Sequence, residues 1–306
     1  MRCDLHIHSR HSGRTTLPLL RHVALDCYSE PGAIFEAARR RDMDFVTITD
    51  HDSIGGAQEI AHHPGVFLSE ELTCRFPSGR VFHITVLGIT ERQHERATRL
   101  RDDAEALLAF LEEERALAVL NHPFSPVIGP REPEDLQLGL SRLRHVETLN
   151  GMMPSPANRA AAAARQDLSL AAVGGSDAHT LAGVGCAWTE VPGARTLEEY
   201  LAGLRAGHGV VCGSSAGWRR LTATIATTAW STYYETARHA TRDARAAARF
   251  AALVVAAPVM AAIPLATAIA HLRERALSRV YARRYRRWLA SRVTRGNVVG
   301  EGSPSA

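Results

Sequence analysis

The stretch DLHIHS, residues 4–9, is the part of the sequence from which the fold and the chemistry are first inferred. His6 and His8 are two positions apart on a predicted strand, so both side chains point to the same side of the chain and can bind one metal ion. Alternate histidines also occur on ordinary strands. The pair therefore indicates a metal site only if further ligands follow elsewhere.

Further ligands do follow, at or near the ends of later predicted strands. They are Asp50, His51 and Asp52 after FVTIT, Glu70 and Glu71, His83 within VFHITVLGI, His122 after AVLN, and Asp177 and His179 in GGSDAH. Adjacent strand residues point in opposite directions, so only one of the two glutamates can face the site. Each element alone could be a turn residue, a solvated acid or a core histidine. Together they would meet at one mouth of a barrel, which predicts a multinuclear metal centre.

Short apolar runs alternate with helical patterns from residue 1 to about 220, which is the rhythm of a β/α fold. Strands are predicted near residues 3–8, 45–49, 66–72, 81–88, 117–120, 146–149 and 169–173, and helices near 31–41, 91–115, 156–166 and 196–206. Seven strands with intervening helices favour a barrel over an open sheet. No predicted strand is followed by GxGxxG, so a dinucleotide-binding fold has no support.

Composition excludes several chemistries. All 36 basic residues are arginine, so a P-loop phosphate clamp, a lysine Schiff base and a carbamylated-lysine metal bridge are all excluded. The five cysteines contain no CxxC pair and are odd in number, which predicts free thiols in a reducing compartment. The first residues lack the apolar segment of a secretory signal, so we expect a cytoplasmic protein.

The net charge of +4 combines two parts of opposite sign. Residues 238–295 carry 13 arginines against Asp243 and Glu274, a net of +11, and the rest of the chain carries −7. We therefore predict an acidic catalytic domain over residues 1–219 and a basic, helical C-terminal appendage over residues 220–306.

The appendage contains an uncharged apolar run, residues 250–270, which is close to bilayer-spanning length but is interrupted by Pro258 and Pro264. After it, apolar and aromatic residues recur among arginines at Leu277, Val280, Tyr281, Tyr285, Trp288 and Leu289. Three interpretations are open: helices packed on the body or in an oligomer, a spanning helix, or a kinked insertion into the cytoplasmic face of the membrane. A spanning helix would leave nine arginines on the outer side, and arginines flank the run on both sides. We therefore favour the insertion on the cytoplasmic face, bound to anionic lipid. The threonine-rich run LTATIATTAW, residues 221–230, indicates no function.

Taken in order, DLHIHS, TITDHD, Glu71 before Leu72-Thr73, His83, NHP and GGSDAH resemble the motifs of the PHP (polymerase and histidinol phosphatase) superfamily of metal-dependent phosphoesterases. The resemblance covers roughly residues 1–215. It implies a distorted (β/α)7 TIM-like barrel that binds two or three divalent metal ions, commonly zinc, manganese or iron.

The resemblance also implies a ligand set. A first ion would be held by His6, His8, Glu71 and Asp177, a second by Glu71, His83 and His122, and a third by His51 and His179. One position departs from the family pattern, because Gly13 stands where an aspartate is usual. The residues that could replace this aspartate are Asp50, Asp52, His11 and Asp26. We therefore expect two tightly bound ions and a weak or absent third.

The reaction implied is metal-assisted hydrolysis of a small phosphate ester. The candidate catalytic residues are Asp177, His51 and His179, of which either histidine could protonate the leaving oxygen, and Arg14, which could bind the phosphate as a fork. Arg131 and Arg159 are further candidates for the same phosphate contact. Two other functions are open: a nuclease whose basic tail follows the phosphate backbone, and a catalytically weakened scaffold tethered to the membrane. The helical period of the tail favours a lipid surface over nucleic acid as its partner.

Overall fold

The computed structural model describes residues 1–15, 24–240, 247–251, 254 and 257–299. The strands are β1 Arg2–Cys3, β2 Ser69–Arg75, β3 Val81–Leu87, β4 Leu117–Leu120, β5 His145–Asn150, β6 Ala171–Gly175, β7 Ala187–Glu190 and β8 Val210–Gly213. The helices are α1 Pro31–Arg39, α2 Gly55–Glu59, α3 Glu91–Leu100, α4 Ala104–Glu113, α5 Pro133–Arg142, α6 Ser155–Asp167, α7 Leu197–Arg205, α8 Trp218–Ala240 and α9 Ile263–Val299, with short 3-10 helices at Arg10–Ser12 and Ala257–Ala262.

The fold is mixed α/β. A five-stranded sheet has the order β2-β3-β4-β5-β6, and a three-stranded sheet has the order β1-β7-β8. In the larger sheet, β2, β3 and β4 pair antiparallel, whereas β4, β5 and β6 pair parallel. The tight turn from Phe76 to Arg80 accounts for the antiparallel β2–β3 pair, because so short a connection cannot return a strand in parallel.

The prediction of a seven-stranded barrel is therefore wrong in part, since the strands of the described residues do not form a closed barrel. The predicted strands near residues 3–8 and 45–49 are represented by β1 and by isolated bridges, such as Ile7 with Ala178. The physical reason is local. Backbone N–H groups that would continue a ladder instead donate to side chains: Ile7 N–H donates to Thr49 Oγ1 at 3.0 Å, and Ser9 N–H donates to Asp50 Oδ1 at 2.6 Å.

Most predicted helices form with bounds shifted by one or two residues, and the long helix predicted at 91–115 is two helices, α3 and α4. Asp103 separates them because its side chain accepts hydrogen bonds from the N–H groups of Glu105 and Ala106 and so begins α4. The five cysteines, all of them within the described residues, are free, as the sequence predicts.

The C-terminal appendage packs on the body. Tyr281, Ala282 and Tyr285 of α9 belong to the same buried cluster as Phe82 and Leu120 of the larger sheet. The Tyr285 hydroxyl donates to Gln137 Oε1 of α5 at 2.8 Å. The aromatic face of α9 is thus covered by protein.

The interpretation of this aromatic face as a lipid-facing surface is therefore wrong, because helical periodicity shows that a face is apolar but not what covers it. Part of the apolar run at 250–270 lies outside the described residues, namely positions 252, 253, 255 and 256. Among the helices that the structure describes, none is long and apolar enough to cross a membrane.

Candidate metal centre

The structure brings together all eight predicted metal ligands. Six are buried, namely His6, His8, Glu71, His83, His122 and Asp177, whereas His51 and His179 are partly exposed. They come from the bridged segment after β1, from the turn after residue 49, from β2 and β3, and from the turns after β4 and β6. Residues that are distant in sequence therefore share one site.

Glu71 lies at the centre of this site, and its two oxygens face different histidines. Glu71 Oε2 is 3.1 Å from His51 Nδ1, 3.3 Å from His6 Nε2 and 3.4 Å from His8 Nε2. Glu71 Oε1 is 3.1 Å from His83 Nδ1 and 3.3 Å from His122 Nε2. The prediction that Glu71 rather than Glu70 faces the site agrees with this geometry, because Glu70 Oε2 instead faces a histidine of α3, His94, at 2.8 Å.

Asp177 lies beside the first pair of histidines, His6 and His8. Its Oδ1 atom is 3.2 Å from His8 Nε2 and 3.7 Å from His6 Nε2. Four groups of potential ligands lie close enough to hold a metal ion: His6, His8 and Asp177; His6, Glu71 and His122; His51, Glu71 and His83; and His8, Asp26, His51 and His179.

The residues fit divalent metal ions. Among the described residues, His6 Nε2, His8 Nε2 and Glu71 Oε2 are buried and have no hydrogen-bond partner, which is costly unless another group binds them. Nitrogen and oxygen ligands about 2.0–2.2 Å from one ion lie roughly 3–3.5 Å from each other. Most of the separations around Glu71 are of this size. Imidazole and carboxylate ligands suit zinc, manganese and iron alike.

Glu147 of β5 orients two of these ligands, and the sequence analysis missed it. His6 Nδ1 donates to Glu147 Oε1 at 2.8 Å, which leaves His6 Nε2 free to face Glu71. The backbone N–H of His122 donates to Glu147 Oε2 at 2.9 Å. An acid inside the apolar run HVETLN was a signal that could have identified Glu147.

Asp50 orients His8 through a hydrogen bond to Ser12. His8 Nδ1 donates to Ser12 Oγ at 3.0 Å, and Ser12 Oγ donates to Asp50 Oδ1 at 2.7 Å. Asp52 points away from the site, because its carboxylate pairs with Arg101 at 2.5 Å. Neither aspartate therefore replaces the carboxylate that is missing at Gly13.

Asp26 lies where it can replace this carboxylate. The chain returns beside the first loop. There the backbones of Arg14 and Leu25 form an antiparallel β-bridge, and Asp26 N–H donates to Gly13 O at 3.0 Å. Asp26 Oδ2 then lies 2.9 Å from His179 Nε2 and 3.7 Å from His51 Nε2. The fourth residue considered for this role, His11, instead faces Glu59 at 3.0 Å.

Replacing Asp26 by asparagine is expected to weaken the binding of one metal equivalent by at least about tenfold, because the group of His51 and His179 loses its own carboxylate. Metal titration of the chelator-treated protein measures this change. Glu59→Gln is the matched control, since Glu59 at the end of α2 is exposed and pairs with His11. An unchanged affinity for every equivalent in Asp26→Asn would remove Asp26 from the site.

The electrostatics of the site favour cations. Burial alone would raise the pKa of Glu71, but the charges of His83 and His6 outweigh it and hold the pKa well below its usual value. Burial opposes ionisation of Asp177 in the same way, and His6 and His8 lower its pKa well below the usual value. Burial lowers the pKa of His51 to about 3, so this imidazole is neutral and able to act as a ligand.

Two ligands sit on strained backbone. Asp177 has φ 54° and His122 has φ 28°, in the left-handed region that costs of order 1–3 kcal/mol for residues other than glycine. Gly175 is required just before this turn, because a Cβ there would lie 2.5 Å from the Cβ of His6. This close approach brings Asp177 against the first histidine pair.

None of the three arginines considered for the phosphate contact is among the described residues that line the cavity. Arg14 is exposed and is not among the described residues that line the cavity beside the metal ligands. Arg131 is buried elsewhere, with its guanidinium 4.3 Å from the ring centre of Phe82, and Arg159 is exposed on α6. Arg14 was chosen because it follows the first histidine pair in sequence, but sequence position does not decide where its side chain points.

A cavity of about 230 Å³ opens above the metal ligands. Its floor contains Asp26, His51, Glu71, His83, His122, Asp177 and His179. One wall comes from α8, and Glu274 of α9 reaches the same space. The run LTATIATTAW, whose role the sequence left open, is therefore part of the site.

Comparison with known proteins adds a family match. A family model described as PHP-associated matches residues 155–208, which include the turn that carries Asp177 and His179. An uncharacterised protein of Methanocaldococcus jannaschii is 27% identical over 136 residues, which are 42% of this chain and 70% of that protein.

Two solved structures are similar in fold. One is a two-domain protein containing a predicted PHP-like metal-dependent phosphoesterase from Bacteroides vulgatus, with a TM-score of 0.52 and 19% identity over 70% of this chain. The present chain covers 64% of that structure, slightly less than two thirds of its length. The other is PsfC from Pseudomonas syringae, with a TM-score of 0.50, 17% identity, and coverage of 74% of this chain and 97% of that one.

Proposed function

We propose, since the chain belongs to the PHP superfamily, that it hydrolyses phosphate esters with two or three divalent metal ions, zinc, manganese or iron. The observation that carries this proposal is the position of Glu71, whose two oxygens face two separate groups of histidines within 3.1–3.4 Å: His6, His8 and His51 on Oε2, and His83 and His122 on Oε1. One carboxylate between two groups of nitrogens is the arrangement expected of a bridging ligand in a two-metal site.

The proposed ligands divide into three sets. His6, His8 and Asp177 would share the first ion with Glu71, His83 and His122 would share the second with Glu71, and His51, His179 and Asp26 would hold the third. Such ions supply Lewis-acid stabilisation of the phosphoryl oxygens and lower the pKa of bound water.

The protein side chains orient these ligands and handle a proton. Glu147 and Ser12 hold the Nδ1 atoms of His6 and His8, so that each Nε2 atom faces the site. His179 Nδ1 donates to the backbone oxygen of Asp177 at 2.9 Å, which directs His179 Nε2 toward Asp26 and the cavity. Of the two candidate histidines, we assign His179 as the donor of a proton to the leaving oxygen in the two-metal state, in which the third set holds no ion and Nε2 of His179 keeps its proton.

The finer fold assignment is part of the same proposal. Parallel bridges join Ile7 to Ala178, Val46 to Val66 and His51 to Glu71. We take these bridged segments as the remaining, distorted strands of a TIM-like barrel, with the larger sheet forming the other part of its wall.

A phosphate-release assay on the full chain tests the proposal. With added Mn²⁺, Zn²⁺ or Fe²⁺, we expect the protein to release phosphate from 4-nitrophenyl phosphate and to act more slowly, or not at all, on bis(4-nitrophenyl) phosphate and on DNA. Bound metals are counted on the same preparation. Preferential cleavage of DNA would favour the nuclease, and no turnover of any ester with any of the three metals would favour the scaffold.

We also propose a partner, an anionic membrane surface bound through residues 238–295. The outer face of α9 carries a stripe of exposed apolar side chains at helical spacing, namely Leu265, Ile269, Leu272 and Val280. By the helical period this stripe lies opposite the buried face that contains Tyr281 and Tyr285. Exposed arginines flank it, among them Arg273 and Arg279. Apolar residues between arginines suit attachment to the surface of an anionic bilayer.

Vesicle sedimentation tests this attachment. We expect the full chain to bind vesicles that contain anionic lipid, and Leu272→Asp to weaken the binding by about tenfold or more, because a buried leucine contributes roughly 1.5–3 kcal/mol. Val210→Asp is the matched control, since Val210 is exposed on β8, away from the tail. Equal binding of both variants, or no binding by the wild type, would contradict the proposal.

A further inference from the structure

The cavity above the metal ligands is apolar on the sides that do not bind metal. Leu221, Ile225 and Ala229 of α8 line one wall, and Val127, Ile128, Met152 and Met153 line others. These residues line the same cavity as Glu71 and Asp177. A phosphate bound at the metals would therefore direct its ester group into an apolar pocket.

Among the described residues, no arginine lines this pocket, and the chain contains no lysine. Substrates with several phosphates require cationic side chains along the phosphate chain. The pocket therefore suits an ester with one phosphate, whose charge the metal ions neutralise.

The polar groups of the pocket are few. The polar lining away from the metal ligands consists of Thr15, of Thr224, Thr228 and Thr232 of α8, and of Glu274 of α9. Glu274 Oε1 accepts a hydrogen bond from Ser125 Oγ at 2.7 Å, and burial raises the pKa of Glu274 to about 7. A carboxyl with a raised pKa carries less negative charge near neutral pH than an ordinary glutamate.

We propose that this pocket binds the organic group of a phosphate monoester and selects esters of apolar alcohols, with an aromatic ring or a short alkyl chain. The inference rests on the proposed phosphoesterase function and names its substrate class. Hydrolysis adds the oxygen of water to phosphorus and breaks the P–O bond to the alcohol. One proton of the water ends on the alcohol oxygen, and the other stays with inorganic phosphate.

The size of the pocket agrees with this class. An apolar cavity of about 150 Å³ accommodates benzene. The present cavity of about 230 Å³ also includes the space above the metals, which the phosphate would take. The remaining space suits one ring or a few methylene groups.

Binding of non-hydrolysable phosphonates tests the inference without turnover. With Mn²⁺ present, calorimetry compares methylphosphonate, propylphosphonate, pentylphosphonate and benzylphosphonate on the full chain. Each buried methylene contributes about 0.8 kcal/mol, so we expect the affinity to rise about fourfold per methylene until the pocket is filled. Polar phosphonates of equal length are expected to bind no better than methylphosphonate.

Two variants of the pocket wall sharpen the test. Ala229→Phe fills the pocket and is expected to remove the gain beyond methylphosphonate, whereas Ile225→Ala enlarges it and extends the gain to longer chains. Ala223→Phe is the matched control, because Ala223 lies on the exposed side of the same helix. It is expected to leave the series unchanged.

The outcomes separate the two proposals. An affinity that does not depend on chain length, or that Ala229→Phe and Ala223→Phe alter equally, overturns the inference. A chain-length series that follows the expectation without any phosphate release from the matching esters supports the pocket and overturns the phosphoesterase function. Turnover of polar and apolar monoesters at equal kcat/KM supports the function and overturns the selectivity.

Discussion

Replacing Glu71 by glutamine is expected to lower the turnover of 4-nitrophenyl phosphate by about a thousandfold. The physical reason is that one carboxylate serves two groups of ligands: Glu71 Oε2 faces His6 and His8, and Glu71 Oε1 faces His83 and His122. An amide offers one neutral oxygen in place of two charged ones. The variant is therefore expected to lose metal from both groups, which elemental analysis of the purified protein measures.

Glu70→Gln is the matched control for this experiment. Glu70 is the neighbouring acid, is equally buried and points to the opposite side of β2, where it pairs with His94. A glutamine there can keep a hydrogen bond, so we expect metal content and turnover within about twofold of the wild type. Normal metal content in Glu71→Gln would contradict the bridging role.

Removing the metals with a chelator is expected to lower the thermal stability of the chain. A ligand at about a thousand times its Kd stabilises the folded state by about 4 kcal/mol per site. For a protein of this size, each kcal/mol shifts Tm by roughly 2–4 °C, so two sites correspond to about 16–32 °C. Thermal melting before and after treatment with chelator, and again after Mn²⁺ is restored, measures the shift.

The same variants serve as controls for the melting experiment. Glu71→Gln is expected to melt at the same temperature with and without added metal, and Glu70→Gln is expected to respond as the wild type does. Identical melting curves for the metal-loaded and metal-free wild type would mean that the buried cluster binds no metal tightly. That result would overturn the metal centre itself, independently of the reaction it performs.

The local part of the fold could be predicted from the sequence. The strand Leu117–Leu120 and helices such as Pro31–Arg39 and Ser155–Asp167 were predicted within a few residues, because hydrophobic periodicity is a local signal. The direction in which strands pair was not predictable in this way. It depends on connections such as the short turn after Phe76, and on side chains such as Thr49 that take the hydrogen bonds of a neighbouring segment.

The ligand types of the site could also be predicted, since DLHIHS, TITDHD and GGSDAH place them at strand ends. Glu147 was not identified as part of the site, and Asp26 was one of four candidates for the missing carboxylate, because neither residue belongs to a motif. Asp26 reaches His179 only because the chain returns beside Gly13, and Glu147 reaches His6 only because β5 and β6 are paired.

The sequence by itself determined the chemistry of this protein: histidine and carboxylate ligands at strand ends, no lysine, and a basic tail. The tertiary structure decided three other properties: which carboxylate joins His51 and His179, which face of α9 is buried, and that α8 lines the cavity above the metals. The physical reason is that residue type and spacing are local properties of the chain. Contacts between segments more than a hundred residues apart depend on packing, which leaves no period in the sequence.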